Sequence, residues 1–172
     1  TSIFILGLSY TNKRFWQFSI IAFTFFIHGG MIIPIVAYLL SLFYKKSKYY
    51  IIGWLLCFFI SFLFGGIFEV FLLSIGFEDE RILYFSEENR INDTFAYIGF
   101  RWDFLIYSTT AVFAGYYFII KKKFTDKVYI QLFNIYITAN SFWILVIRAN
   151  FSNRFAYMSW FLMAVVIFYP FF

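Results

Sequence analysis

Residues 104–127 read FLIYSTTAVFAGYYFIIKKKFTDK, and this stretch decides the fold class. Residues 104–120 carry no charged side chain and approach the length of about 20 residues with which an α-helix crosses a bilayer. Lysines at positions 121, 122, 123 and 127 follow directly. A lysine cluster after an apolar helix is typical of the cytoplasmic end of a transmembrane segment. The stretch therefore predicts a membrane-spanning helix that ends inside the cell.

Similar apolar stretches recur along the chain. Charged residues bound three further spans, at residues 49–77, 128–147 and 155–172. Residues 1–10 are also apolar but ambiguous, and they fit the tail of a helix whose beginning precedes the chain. Because the chain starts at Thr1, without a methionine or a signal-peptide pattern, we expect it to be the carboxy-terminal part of a longer protein.

Residues 15–44 form a long, almost uncharged stretch that is interrupted by a His-Gly-Gly tripeptide at 28–30 and by Pro34. The whole stretch is longer than one crossing needs, whereas each half is shorter than one. Basic residues flank both outer ends, which favours a hairpin with its tip at the tripeptide; a single long tilted helix is the alternative. The sequence thus predicts an all-α fold, a polytopic transmembrane helical bundle of about five to six membrane helices including a short broken hairpin. We expect a single membrane domain over residues 1–172.

The composition agrees with a membrane protein. Hydrophobic residues make up 63% of the chain and charged residues 13%, whereas soluble domains have about half and about a quarter. A soluble fold of this length could not bury 29 Phe and 14 Tyr without leaving large apolar patches. Cys57 is the only cysteine, which excludes an internal disulfide and any zinc or iron–sulfur site built on cysteines. We therefore predict no metal and no cofactor.

The charges have a consistent placement along the chain. The net charge is +5, but the lysines cluster at the ends of apolar segments, which indicates anchoring at the cytoplasmic leaflet instead of nucleic-acid binding. With the lysine loops inside, the acidic loop at 78–93 and the turn at 148–154 both fall outside. One orientation therefore satisfies the positive-inside rule at every loop.

Polar residues recur in steps of three and four along the span at 128–147. Gln131, Asn134, Thr138 and Ser141 share one helical face, which continues through Leu145 to Arg148. We expect most of this stripe to form hydrogen bonds between helices. Arg148 differs from the rest of the stripe in its expected role, because Arg148 and Arg154 place two guanidinium groups on one external turn. Guanidinium groups fork onto phosphate oxygens, which suits a pyrophosphate ligand.

Four more residues are candidates for chemistry. Arg101 and Asp103 place a guanidinium and a carboxylate at the outer mouth of a helix; an interfacial Trp102 anchor with a local ion pair is the alternative. The imidazole of His28, at a glycine turn, can accept a proton from a sugar hydroxyl, although a structural hydrogen-bonded histidine fits the position too. Glu69 lies in an apolar span, so we expect it to face the bundle or a water-filled groove.

Several stretches resemble the EpsG family, the Wzy-like polymerases and related membrane proteins of capsule and exopolysaccharide loci. They are residues 147–162 (IRANFSNRFAYMSWFL) with Tyr169-Pro170, residues 99–107 (GFRWDFLIY), residues 121–127 (KKKFTDK) and Ile27-His28. The resemblance touches most of the chain, and the arginine-rich turn is its most specific part. Two departures count against it. The family's chains are longer at the amino terminus, and His28 is followed by two glycines where a hydroxyl-bearing residue is expected.

The resemblance implies a multi-pass protein of the bacterial inner (cytoplasmic) membrane that polymerises polysaccharide. A glycan on polyprenyl pyrophosphate would be transferred to a lipid-linked repeat unit in capsule, exopolysaccharide or O-antigen biosynthesis, with His28 or Asp103 as the base. The implied partners are this lipid-linked oligosaccharide, membrane lipid and other polysaccharide-assembly proteins, with no nucleic acid. A lipid-linked oligosaccharide transporter (flippase) and a non-catalytic membrane subunit are the alternatives. The residues implied to contact substrate are Arg148, Arg154, Arg101, Asn150 and Glu69.

Overall fold

Helices are the only regular secondary structure in the described part of the chain. The computed structural model describes residues 2–9, 13–27, 29–64, 100–148 and 153–172, and no strand is formed in these ranges. They contain α1 (Ser2–Ser9), α2 (Arg14–Ile27), α3 (Ile32–Phe43), α4 (Ser47–Phe64), α5 (Trp102–Gly115), α6 (Lys127–Leu145) and α7 (Asn153–Phe168). Short turns extend these helices: 3₁₀ turns at Gly29–Met31 and Tyr169–Phe171 and a π-helical turn at Tyr116–Lys121. The all-α prediction is confirmed.

Three of these helices are long and apolar enough to cross a membrane. They are α4 with 18 residues, α5 with its π-helical extension (20 residues together) and α6 with 19. α2, α3 and α7 are apolar but shorter. At 1.5 Å per residue, the 12 residues of α3 extend only about 18 Å, well below the hydrocarbon thickness of about 30 Å. The number of five to six spans therefore stays a prediction.

The stretch at 15–44 is divided between two helices. The 3₁₀ turn at Gly29–Met31 separates α2 from α3, and Pro34 lies in the first turn of α3, where a missing backbone N–H costs nothing. The two helices run antiparallel, because the Phe18 ring of α2 contacts the Tyr38 ring of α3 at 5.7 Å between centroids. The structure thus has the broken hairpin and not the single long helix.

α6 lies at the centre of the bundle, in contact with α3, α4, α5 and α7. In its apolar stretch 61% of the residues are buried, against 17% in α4. The outer face of α4 leaves large apolar side chains exposed, among them Leu56, Phe59 and Leu63. An exposed apolar face of this size is unfavourable in water and suits contact with lipid chains.

The lysines gather at one end of the bundle. Lys45, after α3, and Lys127, at the start of α6, line the same cavity. At this end the Asp126 carboxylate caps α6 by accepting a hydrogen bond from the Tyr129 backbone N–H at 2.8 Å. It also accepts one from the Tyr169 hydroxyl at 3.2 Å, which ties the end of α7 to the start of α6. We call this the lysine end: Lys45, Lys46, Lys48, Lys121, Lys122, Lys123 and Lys127.

The opposite end of the bundle carries arginine. α6 finishes there in a turn that leads to Arg148, and α5 begins there just after Arg101. The Arg148 guanidinium lies 5.5 Å from the centre of the Phe100 ring, so the two chain segments are neighbours. We call this group, Arg101, Asp103 and Arg148, the arginine end.

Candidate functional site

Arg148 is partly buried at the arginine end. The chain leaves α6 through a turn in which the Ile147 backbone N–H donates to the Ile144 carbonyl at 3.3 Å. This turn holds the Arg148 side chain against the Phe100 ring, and its Nε lies buried without a hydrogen-bond partner. A buried guanidinium N–H without a partner is unfavourable unless a ligand or water accepts from it. Arg148 therefore retains a donor for an anion.

Arg101 and Asp103 form a two-pronged ion pair. Arg101 Nε donates to one carboxylate oxygen of Asp103 at 3.1 Å, and Nη2 donates to the other at 2.9 Å. The Arg101 guanidinium also lies 3.9 Å from the centre of the Phe104 ring. The Asp103 side chain is 59% exposed and that of Arg101 22% exposed. This is the local ion pair of the alternative interpretation, and the two hydrogen bonds from Arg101 make Asp103 a weaker base while the pair is intact.

An aromatic cluster joins α4 to the start of α5. Phe62 of α4 contacts the Phe100 ring at 6.0 Å and the Trp102 ring at 5.7 Å, and Phe58 packs against both. The ring centroids of Phe100 and Trp102 are 4.6 Å apart. The cluster fixes Phe100 under Arg148. Sequence reasoning missed it, because four aromatic residues in a chain so rich in Phe carry no distinguishing signal.

The remaining predicted site residues are only partly described. Arg154 lies in the first turn of α7, which starts at the arginine end because Phe155 packs on Phe142 near the end of α6. His28, Glu69 and Asn150 lie outside the described residues. Of the predicted site, the structure pairs Arg101 with Asp103 and places Arg148 against Phe100, the residue that precedes Arg101.

The polar stripe of α6 has mixed roles. Gln131 donates to the Ser41 hydroxyl of α3 at 3.4 Å, which is the expected bond between helices. The hydroxyls of Thr138 and Ser141 instead donate to carbonyls of their own helix, each at 2.7 Å. Asn134 is fully buried, and neither atom of its amide has a hydrogen-bond partner. The stripe is therefore helix–helix contact in part only.

The best polar connection between helices lies beside the stripe. Trp54 of α4 donates its indole N–H to the Asn140 carbonyl oxygen at 2.8 Å, and the Asn140 amide donates to the Ser159 hydroxyl of α7 at 3.2 Å. All three side chains are buried, so this chain of bonds links α4, α6 and α7. Sequence reasoning missed Asn140 because its partners are distant in sequence.

Two cavities lie along α6. The larger, of about 460 Å³, is at the lysine end, where Gln131 and Asn134 contribute to its wall. The second, of about 270 Å³, lies between α3, α4 and α6 and includes Thr138 and Ser141. The stripe thus supplies polar atoms to both cavities. Neither cavity includes the residues of the arginine end.

In the described ranges, no group of three or more His, Cys, Asp or Glu side chains is placed to hold a metal ion. Comparison with protein-family models, with curated proteins and with solved structures found no match for this chain. The resemblance to the EpsG family therefore stays a prediction.

Proposed function

We propose that this chain belongs to a membrane-embedded glycosyltransferase of the Wzy-like polymerase type. It transfers a glycan from polyprenyl pyrophosphate to a sugar hydroxyl of a second lipid-linked repeat unit. The observation that carries the proposal is Arg148, a partly buried guanidinium with a free Nε donor, packed on Phe100 at the end of the bundle opposite the lysines.

The leaving group of this reaction explains the need for arginine. When the bond between the anomeric carbon and the pyrophosphate oxygen breaks, negative charge develops on the pyrophosphate. Guanidinium groups neutralise such charge and bind two oxygens at once, which an ammonium group cannot do. Arg148 and Arg101 would hold the pyrophosphate, with Arg154 a third donor from the start of α7.

The Arg101–Asp103 pair suggests how the base becomes available. A bound pyrophosphate competes with Asp103 for the Arg101 guanidinium, because both are oxygen anions that accept the same two N–H groups. Asp103 is then released to accept the proton of the acceptor hydroxyl while that oxygen forms the new glycosidic bond. His28 is the other candidate for this role. Asp103 thus becomes a stronger base when donor substrate is present.

The orientation of the chain completes the proposal. The lysine end faces the cytoplasm by the positive-inside rule, which directs Arg148 and Arg101 to the outer face of the bacterial inner membrane. Lipid-linked repeat units reach the polymerase from that face. The three helices of spanning length support a membrane location, and the multi-pass arrangement is part of the proposal.

The test is Arg148→Lys in cells that carry the full-length gene, at matched abundance in the membrane. Lysine keeps the positive charge but cannot donate two parallel hydrogen bonds to the pyrophosphate oxygens. We therefore expect polymer synthesis to fall by about a hundredfold. The readout is the ladder of lipid-linked glycan. Arg14→Lys, at the start of α2 and the lysine end, is the matched control and should leave the ladder intact. A full ladder with Arg148→Lys would refute the proposed binding of the pyrophosphate by Arg148.

A lipid-linked oligosaccharide transporter is the second candidate. One observation favours it: the polar face of α6 contributes to two cavities, at the lysine end and farther along the helix. A transporter needs polar groups along its path, although the Thr138 and Ser141 hydroxyls already bond within their own helix. Proteoliposomes loaded with a labelled lipid-linked oligosaccharide separate the two functions. A polymerase lengthens the glycan, whereas a transporter moves it between leaflets at constant length.

A further inference from the structure

The cavity at the lysine end has the features of a ligand site that the proposed function does not use. It lies between α2, α3 and α6 and has a volume of about 460 Å³. Its polar wall comes from three helices, and the residues concerned are Gln17, Ser41, Gln131 and Asn134. All four are buried or partly buried. A site at the opposite end of the bundle from Arg148 is independent of glycosyl transfer.

Asn134 is the residue that indicates a ligand. It is fully buried in the wall of the cavity, and both its amide nitrogen and its carbonyl oxygen lack hydrogen-bond partners. A buried amide without partners costs on the order of 2 kcal/mol or more, so such groups are rare in folded proteins. An amide offers one acceptor and two donors side by side. A hydroxyl group satisfies it well, because a hydroxyl can donate to the oxygen and accept from the nitrogen.

Two lysines define the charge of the ligand. Lys45, from the loop between α3 and α4, and Lys127, from the start of α6, both line the cavity with exposed side chains. The acid next to Lys127 is Asp126, whose carboxylate already accepts from the Tyr129 N–H and the Tyr169 hydroxyl. These neutral donors leave the Asp126 charge in place, so two lysines against one carboxylate give the entrance a net positive charge, and a phosphate group suits it.

The surroundings of the cavity indicate an amphiphile. Leu42, Val128 and Ile130 contribute apolar wall, and exposed apolar side chains such as Leu39 and Phe43 continue along α3. Lysines beside apolar helices mark the level of the lipid head groups in a cytoplasmic leaflet. A lipid in this leaflet would place its phosphate at the lysines and its acyl chains along α3.

We propose that the cavity binds the head group of an anionic phospholipid that carries hydroxyls, with phosphatidylglycerol as the representative. The phosphodiester lies between Lys45 and Lys127, and the glycerol hydroxyls reach toward Asn134 and Gln131. The bound lipid satisfies the Asn134 amide and fills the space between the α2–α3 hairpin and α6. The proposal requires a membrane location but not polymerase activity.

The experiment measures binding of phosphatidylglycerol and phosphatidylcholine to the full chain in neutral detergent by native mass spectrometry. Lys45→Gln with Lys127→Gln should weaken phosphatidylglycerol binding by about 25-fold, since each lysine contributes roughly a factor of five at a membrane surface. The matched control is Lys48→Gln with Lys122→Gln, which also removes one charge from each lysine loop, at residues outside the cavity. We expect the control to change binding by less than about threefold. An equal loss in both double variants would overturn the cavity site in favour of general surface charge.

Two further arms test the head group. Asn134→Leu should weaken phosphatidylglycerol binding by about tenfold and leave binding of phosphatidic acid, which lacks the glycerol hydroxyls, unchanged. An unchanged affinity for phosphatidylglycerol in this variant would overturn the role of Asn134. Glycerol phosphate is added as a soluble competitor, and we expect it to displace the lipid only at far higher concentration. Displacement at comparable concentration would show that the ligand is a soluble phosphate ester and not a lipid.

Discussion

α4 and α6 are helices of similar length that occupy opposite environments. α4 has the higher mean hydropathy, 1.6 against 1.2, yet only 17% of its residues are buried, against 61% in the apolar stretch of α6. In a water-soluble protein the more apolar helix would be the buried one. In a bilayer the lipid chains are as apolar as leucine, so hydrophobicity does not drive helices inward. The difference in burial between α4 and α6 shows that packing and polar contacts determine which helix is central here.

The inward face of α4 makes the same point. Its buried residues are Ser47, Trp54 and Ser61, spaced seven apart, whereas Leu56, Phe59 and Leu63 are exposed. The small serines let the helix approach α6 closely, and Trp54 bonds to Asn140. The buried part of this face is therefore formed by two serines and Trp54, whereas Leu56, Phe59 and Leu63 face outward.

The largest expected difference lies between two variants that each replace a glycine by alanine, one in α5 and one in α4. A Cβ at Gly115 of α5 would overlap the Phe133 ring of α6, which is fully buried and cannot move aside. We expect Gly115→Ala to destabilise the bundle by about 2–3 kcal/mol. A Cβ at Gly53 of α4 would meet nothing within 4 Å, so Gly53→Ala should be neutral or slightly stabilising. The measurement is unfolding of the purified protein in mixed micelles by added denaturing detergent.

The two glycines control for each other, because both lie inside helices and both gain the helix propensity of alanine. Similar stability of the two variants would show that α5 and α6 are not in close contact, and α6 would then lose its central position.

A smaller effect distinguishes two asparagines of α6. Asn140→Leu removes the partner of Trp54 and Ser159 and leaves a buried indole N–H unpaired, so we expect a loss of about 1 kcal/mol. Asn134→Leu removes an amide that bonds to no protein group, so in the absence of lipid it should cost nothing or stabilise. Both variants are compared by the same micelle unfolding assay. A larger loss for Asn134→Leu than for Asn140→Leu would contradict the assignment of partners.

The sequence predicted the helices well, because their boundaries depend on local chemistry. Glycines at the 28–30 tripeptide predicted the break between α2 and α3, and lysines predicted the end of α5 and its extension close to Lys121. The span predicted at 128–147 agrees with α6 to within a few residues. Arg148 and Arg101 were singled out by their charge and their position at helix ends, and the structure places their segments at one end of the bundle.

The packing could not be predicted in the same way. Nothing local distinguishes Asn140, which bonds to two other helices, from Asn134, which bonds to none. The central position of α6 and the contact of Phe100 with Arg148 depend on residues far apart in the chain. For the same reason the cavity at the lysine end, built from three helices, had no sequence signal.

The measurement that tests the central claim most directly is labelling from within the bilayer. The protein is reconstituted in vesicles with a lipid-soluble diazirine, irradiated, digested and mapped by mass spectrometry. We predict strong labelling of the outward side chains Leu56, Phe59 and Leu63 of α4 and almost none of Ile135 and Ile137 of α6, which are fully buried. If the label modified Ile135 and Ile137 of α6 as strongly as it modifies α4, the result would contradict the central position of α6. If the outer face of α4 reacted with a water-soluble reagent and not with the lipid-soluble one, the result would contradict its contact with lipid.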